Sequence, residues 1–344
     1  MAKKFDFNTP ITAATTVYAK WSYKLHTEPS ILTNYTSPNH TDSKRKYVEF
    51  GDWPQTIKAE GVYVDETKSK TMGMFTYYLG SDGNHYVKHS DKYYKVEPIV
   101  WRVLTEDYKA PDGKSTGNAL LLAEKILIGG IRYYVDSSQR TITKETVTGT
   151  ETETVPVYAN NWQYSTIRAW LNGRYEEKDS QDETYTDKGF LQTAFTQSAR
   201  DKIAPTTVDN TAASTNPASN DKQWNDGKNE YASDTPTTDK VFLLSEAEAT
   251  TSEYDFDEYN KYVGDKYDTT TSTRIRVTTD YAKTTGAYQL FYGGWWWLRS
   301  PYYFLEDHAR VIYSDGYTLN KYIVNDTSGG VVPALCIPAK QLLP

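Results

Sequence analysis

Few side chains in this sequence have the types and spacing that metal binding requires. The chain has five histidines and one cysteine, Cys336. His85 and His89 are four residues apart, the spacing of a metal pair on a helix, but they lie between strand-like runs. No cluster of cysteines or carboxylates stands beside them to complete a coordination shell. We therefore expect surface histidines and no metal.

The motifs of common catalytic sites are also missing from the sequence. No Gly-Xaa-Ser-Xaa-Gly nucleophile motif occurs, and Gly129-Gly130 lacks the lysine and the spacing of a phosphate-binding loop. The adjacent carboxylates Glu306 and Asp307 favour a solvated turn over an acid–base pair. Cys336 lies in an apolar run, which is typical of an inert core residue. The sequence thus predicts no catalytic residue and no cofactor.

The most informative chemistry lies in residues 293–337. This segment opens with Gly-Gly-Trp-Trp-Trp-Leu-Arg-Ser-Pro and closes with Gly-Gly-Val-Val-Pro-Ala-Leu-Cys-Ile. Aromatic residues stand between these two motifs, amid Asp, His and Asn: Tyr302, Tyr303, Phe304, Tyr313, Tyr317 and Tyr322. Rigid rings with polar tips offer large contact areas at low entropy cost, as in antibody combining sites. We predict a ligand-binding surface over 302–326; the alternative is that these rings only cover a core.

Composition limits the class of protein. The 344 residues include 30 Tyr, 9 Trp and 10 Phe, and such aromatic content argues against a disordered chain. No window approaches 18 consecutive apolar residues, so we expect no direct membrane span. Lys and Arg number 38 against 45 Asp and Glu, a net charge of −7. This charge is wrong for a sequence-independent nucleic-acid binder, which needs a basic field.

The elements that must position these residues are mostly short strands. Alternating or apolar runs predict strands at 47–51, 72–79, 93–104, 119–128 and 241–244, and a ribbon at 141–157. Asp82-Gly83 predicts a hairpin turn at 81–84. Glycine turns between further short strands are expected over 295–337.

Two helices are predicted within this pattern of strands. Ser165 caps the first, over 165–171, which ends at Asn172-Gly173. The second spans 190–203 and stops before Pro205. Ser245 caps a brief helix through Glu248, and the polar residues 205–238 predict a long loop. Short mixed strands with two main helices indicate an α+β fold.

The N-terminal residues differ from the remainder. Residues 5–21 resemble the tail of a Listeria–Bacteroides repeat, a small β-rich module of bacterial surface proteins, through Thr9-Pro10-Ile11-Thr12 and Val17-Tyr18-Ala19-Lys20-Trp21. Residues 22–45 lack periodicity and predict a linker. We expect a repeat tail at 1–21, a linker at 22–45 and a ligand-binding domain at 46–344. No export signal is visible, and we expect it to have been trimmed.

Several motifs of the main domain together resemble one family. They are Gly-Trp-Trp-Trp-Leu-Arg-Ser-Pro at 294–301, Ala309-Arg310, Ser314-Asp315-Gly316, and the runs 48–55, 98–104, 165–172 and 239–245. The chain resembles bacterial proteins with a C-type-lectin-like fold of the formylglycine-generating-enzyme subtype. This group includes variable proteins of diversity-generating retroelements. The resemblance implies a C-type-lectin-like fold with two main helices, long inserted loops and a variable region at about 295–337.

The resemblance also implies which positions vary. In such proteins adenines of Asn codons are mutated during copying, which can yield Tyr, Phe, His, Asp, Val, Ile, Ser or Thr. Glu306 and Lys321 do not qualify and are expected to stay fixed. The qualifying positions, taken as the ligand-binding residues, are Tyr302, Tyr303, Phe304, Asp307, His308, Val311, Tyr313, Tyr317, Asn320, Tyr322, Ile323, Asn325 and Asp326.

The implied function is non-enzymatic recognition of a protein or other macromolecular ligand at the cell surface or in secreted form. The enzymes of the fold oxidise cysteine with a pair of their own cysteines, which Cys336 alone does not supply. Trp224-Asn225-Asp226 matches a calcium-dependent sugar motif of lectins, but it falls in the polar loop, and that site is not carried over. The alternative is a fixed adhesin or structural surface module of the same fold.

Overall fold

The computed structural model describes residues 26–39, 45–145, 152–173, 185–215, 229–233, 235–256, 262–263, 266–267, 272–290, 292–318 and 320–343. The predicted repeat tail at 5–21 and the tripeptide Trp224-Asn225-Asp226 lie outside these residues.

Short strands dominate the described chain. The strands are β1 (Ser30–Leu32), β2 (Tyr47–Ile57), β3 (Val64–Met72), β4 (Phe75–Gly80), β5 (His85–His89), β6 (Lys92–Thr105), β7 (Asn118–Ala123), β8 (Arg140–Glu145), β9 (Thr152–Val157), β10 (Thr206–Val208), β11 (Thr237–Asp239), β12 (Val241–Phe242), β13 (Tyr262–Val263), β14 (Lys266–Tyr267), β15 (Gln289–Leu290), β16 (Gly293–Gly294), β17 (Trp296–Pro301), β18 (His308–Ile312), β19 (Asn320–Ile323) and β20 (Ala334–Pro338).

The helices are few and short. They are α1 (Thr166–Asn172), α2 (Phe190–Ala194), α3 (Gln197–Arg200), α4 (Ala212–Thr215) and α5 (Asp280–Thr284), with 3₁₀ turns at Ser252–Tyr254 and Ala339–Leu342. In the described part of the chain no helix is long and apolar enough to cross a membrane. Mixed strands with few helices give an α+β arrangement, as predicted.

A nine-stranded sheet forms the scaffold. Its main path runs β12-β20-β7-β6-β5-β4-β3, and β2 pairs with β6 and with β1. The pairings between these strands are antiparallel. At its centre, Leu120, Leu121 and Leu122 of β7 are all fully buried. A strand buried on both faces reads as a continuous apolar run, which is why the sequence revealed it.

Tryptophan rings fill much of the core. Trp53 and Trp101 are fully buried, and their Nε1 atoms donate to the carbonyls of Leu127 (2.9 Å) and Phe50 (2.7 Å). Trp170 of α1 meets Trp53 edge to face at 6.3 Å between ring centroids. Buried Trp requires a partner for its N–H, and these carbonyls provide one. Large rings therefore replace the aliphatic residues in which the chain is poor.

Helix α1 begins and ends as predicted. The Ser165 side chain accepts from the backbone N–H of Arg168, and Gly173 closes the helix in the left-handed conformation. The ribbon at 141–157 is also confirmed, as β8 paired with β9.

The predicted helix over 190–203 is wrong. It is two short helices, α2 and α3, separated at Phe195, whose backbone is extended. The Phe195 ring packs against Phe50, with centroids 5.0 Å apart. Thr196 then caps α3 through a hydrogen bond from the Ala199 N–H. Burial of one aromatic ring thus overrides a helical pattern.

The predicted linker at 22–45 is wrong over residues 26–39. Residues 30–32 form β1 on the edge of β2, and the Ser37 hydroxyl donates to the buried carboxylate of Glu124. His26 Nδ1 lies 2.6 Å from a carboxylate oxygen of Asp52. These residues form a strap that docks on the main domain.

Other predictions also need correction. The strand expected at 119–128 ends at Ala123, and the brief helix after Ser245 is a turn, although Ser245 and Glu248 make both hydrogen bonds of a capping box. The loop over 205–238 contains β10 paired with β11.

The prediction that His85 lies on the surface is wrong. His85 is buried, and burial lowers the pKa of its imidazole.

Candidate functional site

The predicted binding positions lie on one small sheet and its loops. Strands β17, β18 and β19 form a three-stranded antiparallel sheet. The loop 302–307 joins β17 to β18, and residues 313–318 lie between β18 and β19 in the chain. The structure therefore brings together the segment that sequence reasoning singled out.

The register divides these positions between two faces. Arg310 of β18 pairs with Lys321 of β19, and Val311 pairs with Asn320. Because neighbouring residues of a strand point to opposite faces, Arg310 and Lys321 share one face with His308 and Ile323. We call this the loop face. Val311, Asn320 and Tyr322 belong to the other, which we call the tryptophan face.

Three aromatic rings gather on the loop face. Tyr302, Tyr303 and Phe304 form a trio with centroid distances of 5.1 Å, 5.8 Å and 4.0 Å. Phe304 is 47% exposed and the next residue, Leu305, is 42% exposed. Exposed large apolar side chains side by side are a mark of a binding surface.

Two cations hold this trio from beneath. The guanidinium carbon of Arg310 is 4.8 Å from the Tyr302 ring centroid and 5.2 Å from that of Tyr303. Lys321 Nζ is 5.2 Å from the Tyr302 ring. Arg310 is itself buried and paired with the buried Glu246, with 3.1 Å between Nε and Oε2. A cation over an aromatic face is attractive, so the rings are pre-positioned.

Asn160 holds the loop backbone and was missed by sequence reasoning. Its buried amide nitrogen donates to the carbonyls of Leu305 and His308, both at 2.9 Å. Its backbone N–H donates to the carbonyl of Glu306 at 3.0 Å. Tyr302 N–H also donates to the carbonyl of His308 at 2.9 Å. One asparagine far away in sequence thus fixes the loop that carries the trio. No local sequence pattern predicts this role of Asn160.

The tryptophan face is mostly part of the core. The Tyr322 ring stacks on Trp295 at a centroid distance of 4.1 Å and an interplanar angle of 6°. Burial, followed by the interaction with Tyr313, raises the pKa of the Tyr322 phenol to about 12. Tyr322 is therefore half-buried and anchored, with only part of its ring accessible.

Val311 is the clear error in the predicted set. Its side chain is 0% exposed because it belongs to the apolar core beneath the sheet. A ligand cannot contact it without unfolding β18. A valine passes the codon criterion, but burial excludes it from the binding residues.

The remaining predicted positions are partly exposed. This group comprises Asp307, His308, Tyr313, Tyr317, Asn320, Ile323, Asn325 and Asp326. Asp307 and His308 form a pair with 2.7 Å between Oδ1 and Nδ1. Asp326 accepts from the N–H and hydroxyl of Ser328. The two positions predicted to stay fixed have structural roles: Lys321 faces Tyr302, and the Glu306 carbonyl accepts from Asn160.

The tryptophan-rich motif at 293–301 and the motif that begins with Gly329-Gly330 bracket the segment, and the two motifs are in contact. Gly330 N–H donates to the carbonyl of Trp295 at 2.9 Å, and Trp297 N–H donates to that of Gly330 at 3.1 Å. A Cβ on Gly329 would lie 2.3 Å from Trp297 Nε1. Only glycine allows this approach, which explains why the two motifs belong together.

A buried ion pair anchors the entry strand. Arg299 of β17 pairs with Glu248 and also donates to the carbonyls of Leu243 and Asp209. Burial disfavours the charged Glu248 carboxylate, but Arg299 outweighs this and holds its pKa below the ordinary value. The arginine thus ties two segments, the one around Asp209 and the one over 243–248, to the small sheet, and its role is structural.

The titratable groups of the segment have few partners among the described residues. There, His308 pairs with Asp307 and receives no hydrogen bond from a serine, threonine or cysteine. Within the same ranges no group of three His, Cys, Asp or Glu residues could hold a metal ion. Cys336 is buried, and burial raises the pKa of its thiol to about 12. A thiol with this pKa is inert at neutral pH.

Comparison with known proteins gives one match. The family model described as "Domain of unknown function (DUF6273)" matches residues 116–339. This range includes β7, Asn160, the small sheet and both bracketing motifs. No curated protein and no solved structure matches the chain.

Proposed function

We propose that this chain, which belongs to the DUF6273 family, is a non-enzymatic recognition protein that binds a protein or other macromolecular ligand through residues 302–326. One observation carries the proposal: the partly exposed trio of Tyr302, Tyr303 and Phe304 is held in place by buried Asn160 and Arg310. Aromatic anchors dominate binding energy at protein interfaces, and rigid anchors lose little entropy on binding.

The binding surface that we propose is narrower than the codon criterion implies. It centres on the loop face and includes the trio, Asp307, His308 and Ile323. Tyr313, Tyr317, Asn320, Asn325 and Asp326 extend it along the sheet, with the accessible part of Tyr322. Val311 is not part of it.

We also propose the C-type-lectin-like fold and a retroelement as the source of variation. One point supports the fold: motifs of the resemblance occupy buried positions, such as Trp101 and Arg299. The division between rigid frame and accessible loop residues supports variation, because changes on the loop face leave the frame untouched. Display at the cell surface or in secreted form follows from the resemblance of residues 5–21.

The gene neighbourhood distinguishes diversification from the alternative of a fixed adhesin. Diversification predicts a near-copy of codons 293–337, rich in AAC and AAT, beside a reverse-transcriptase gene. A neighbourhood without such a copy would favour the fixed module.

A display experiment tests the capacity for varied recognition. The codons of Tyr302, Tyr303, Phe304 and Ile323 are replaced by mixtures derived from AAC, and the library is displayed on yeast and sorted against hen lysozyme. We expect most clones to fold and lysozyme binders to emerge. A library that folds but yields no binder, or that fails to fold, would contradict the proposed function.

A further inference from the structure

A cleft away from the loop face has the features of a second ligand site. It lies between residues 130–135, helix α1 and residues 185–188, and encloses about 680 Å³. Cavities of about 300–1,000 Å³ hold small ligands in proteins. The volume therefore suits a molecule of two or three fused or linked rings.

Part of the wall of the cleft is apolar. Ile131, Val135 and Met74 line it together with Thr166, Tyr185 and Thr327, and the buried Trp170 also borders it. Trp170 is packed against Trp53 and Phe190, so this wall is backed by the rigid core. An apolar, preformed surface favours the flat body of an aromatic or alicyclic ligand.

Among the described residues, the charged side chains that line the cleft are both cations. Arg132 and Lys188 line it and are exposed, and no Asp or Glu of the described ranges does so. In the described part of the chain neither side chain forms an ion pair, whereas other exposed lysines, such as Lys109 and Lys114, pair with neighbouring aspartates. The chain has a net charge of −7, so these two cations give the cleft a local charge opposite in sign to that of the whole chain. They complement an anionic group.

We propose that this cleft binds a small organic anion with a flat apolar body, such as an aromatic carboxylate or sulfonate. The ring system packs on Ile131, Val135 and Met74, and the anionic group lies between Arg132 and Lys188. The site is distinct from the trio on the loop face and does not depend on the function proposed for it.

Fluorescence titration with 8-anilinonaphthalene-1-sulfonate tests the site, with the uncharged N-phenyl-1-naphthylamine as a comparison probe. We expect the sulfonate to bind once per chain. The double variant Arg132→Gln/Lys188→Gln should weaken its binding about tenfold, because two exposed charge contacts together are worth roughly 1–2 kcal/mol. Binding of the uncharged probe should be unchanged.

Two matched variants complete the titration. Lys109→Gln/Lys114→Gln removes the same charge from a distant surface and should leave sulfonate binding unchanged. Ile131→Trp fills the cleft and should abolish binding of both probes. The proposal would be overturned if Arg132→Gln/Lys188→Gln and Lys109→Gln/Lys114→Gln bound the sulfonate equally well. It would also be overturned if Tyr302→Ala/Tyr303→Ala, on the loop face, lost sulfonate binding.

The methionines provide a local readout of the same site. The chain has three, and of Met72 and Met74 only Met74 lines the cleft. In protein labelled with ¹³C at the methionine methyls, the sulfonate should shift the Met74 signal, assigned by Met74→Leu, and leave Met72 in place. A bound probe that leaves the Met74 signal unmoved would contradict the location.

Discussion

At the residue scale, the loop 302–307, where we propose that a ligand binds, depends on buried side chains outside the proposed surface. Asn160 and Arg310 hold the loop and the rings of the trio, and both are buried. Sequence reasoning found the trio because aromatic residues cluster locally between two distinct motifs. It missed Asn160 because a hydrogen bond across about 145 positions leaves no local pattern.

Asn160→Ala tests the role of this brace. The variant leaves the carbonyls of Leu305 and His308 without their donor, so we expect unfolding to become easier by about 1–3 kcal/mol. Amide hydrogen exchange over residues 302–308 should accelerate. Urea unfolding and exchange by mass spectrometry measure these effects. Asn161→Ala is the control, since its side-chain carbonyl has no hydrogen-bond partner in the described ranges; equal effects of the two variants would contradict the role.

Val311 and Ile323 test which positions tolerate variation. Val311→Asp places an uncompensated charge in the core and should destabilise the protein by at least about 3 kcal/mol. Ile323→Asp changes a half-exposed side chain on the loop face and should cost less than about 1 kcal/mol. Urea denaturation of both variants measures the difference. Similar costs would show that the two faces are wrongly assigned.

At the scale of elements, strands and caps were predictable where local pattern decides them. Helix α1 follows from its Ser165 cap and Gly173 end, and β7 follows from its apolar run. Long-range contacts decided the elements that were predicted wrongly. The helix over 190–203 breaks because the Phe195 ring packs on Phe50, and the strap at 26–39 docks through Asp52 and Glu124.

The strap should respond to pH through His26. The hydrogen bond with Asp52 raises the pKa of this imidazole above its ordinary 6.5. Because the pKa of His26 is higher in the folded protein than in the unfolded chain, its contribution to stability is fully present below pH 6.5. That contribution is lost as the pH rises through the pKa of the folded protein. Amide exchange of residues 30–32 should therefore accelerate, relative to the intrinsic rate, as pH rises from 6 to 8.

His26→Gln should remove this pH dependence of exchange in the strap. His89→Gln, which changes a histidine of β5, should leave it intact. If residues 30–32 of the unaltered protein exchange at the same rate relative to the intrinsic rate at pH 6 and at pH 8, the ion pair between His26 and Asp52 is contradicted.

The contact between the bracketing motifs is also testable. Gly329→Ala places a methyl group against Trp297 and should destabilise the protein by about 1–3 kcal/mol. Combining it with Trp297→Leu should recover part of this loss, because the smaller side chain relieves the overlap. Thermal unfolding of the two single variants and the double variant gives the coupling energy. Strict additivity would contradict the close contact between Gly329 and the Trp297 side chain.

At the scale of the whole molecule, a rigid frame and an accessible surface are separate. The nine-stranded sheet, the tryptophan core and the Arg299–Glu248 pair hold the small sheet, while the aromatic trio stands outside them. The sequence predicted a mixed fold of many short strands with few helices, which the structure shows, whereas the binding surface at 302–326 stays a prediction. It could not predict the division into two faces, because that requires the register of β18 with β19.

The most direct test asks where ligands bind. Peptides enriched from a random dodecapeptide phage library on the unaltered protein are measured against Tyr302→Ala/Tyr303→Ala/Phe304→Ala and against the control Tyr63→Ala, which removes an exposed tyrosine elsewhere. We expect the triple variant to stay folded and to lose at least about tenfold in affinity for the enriched peptides, whereas Tyr63→Ala should bind them normally. Peptides that bind the folded triple variant as tightly as the unaltered protein would contradict a recognition site at residues 302–326.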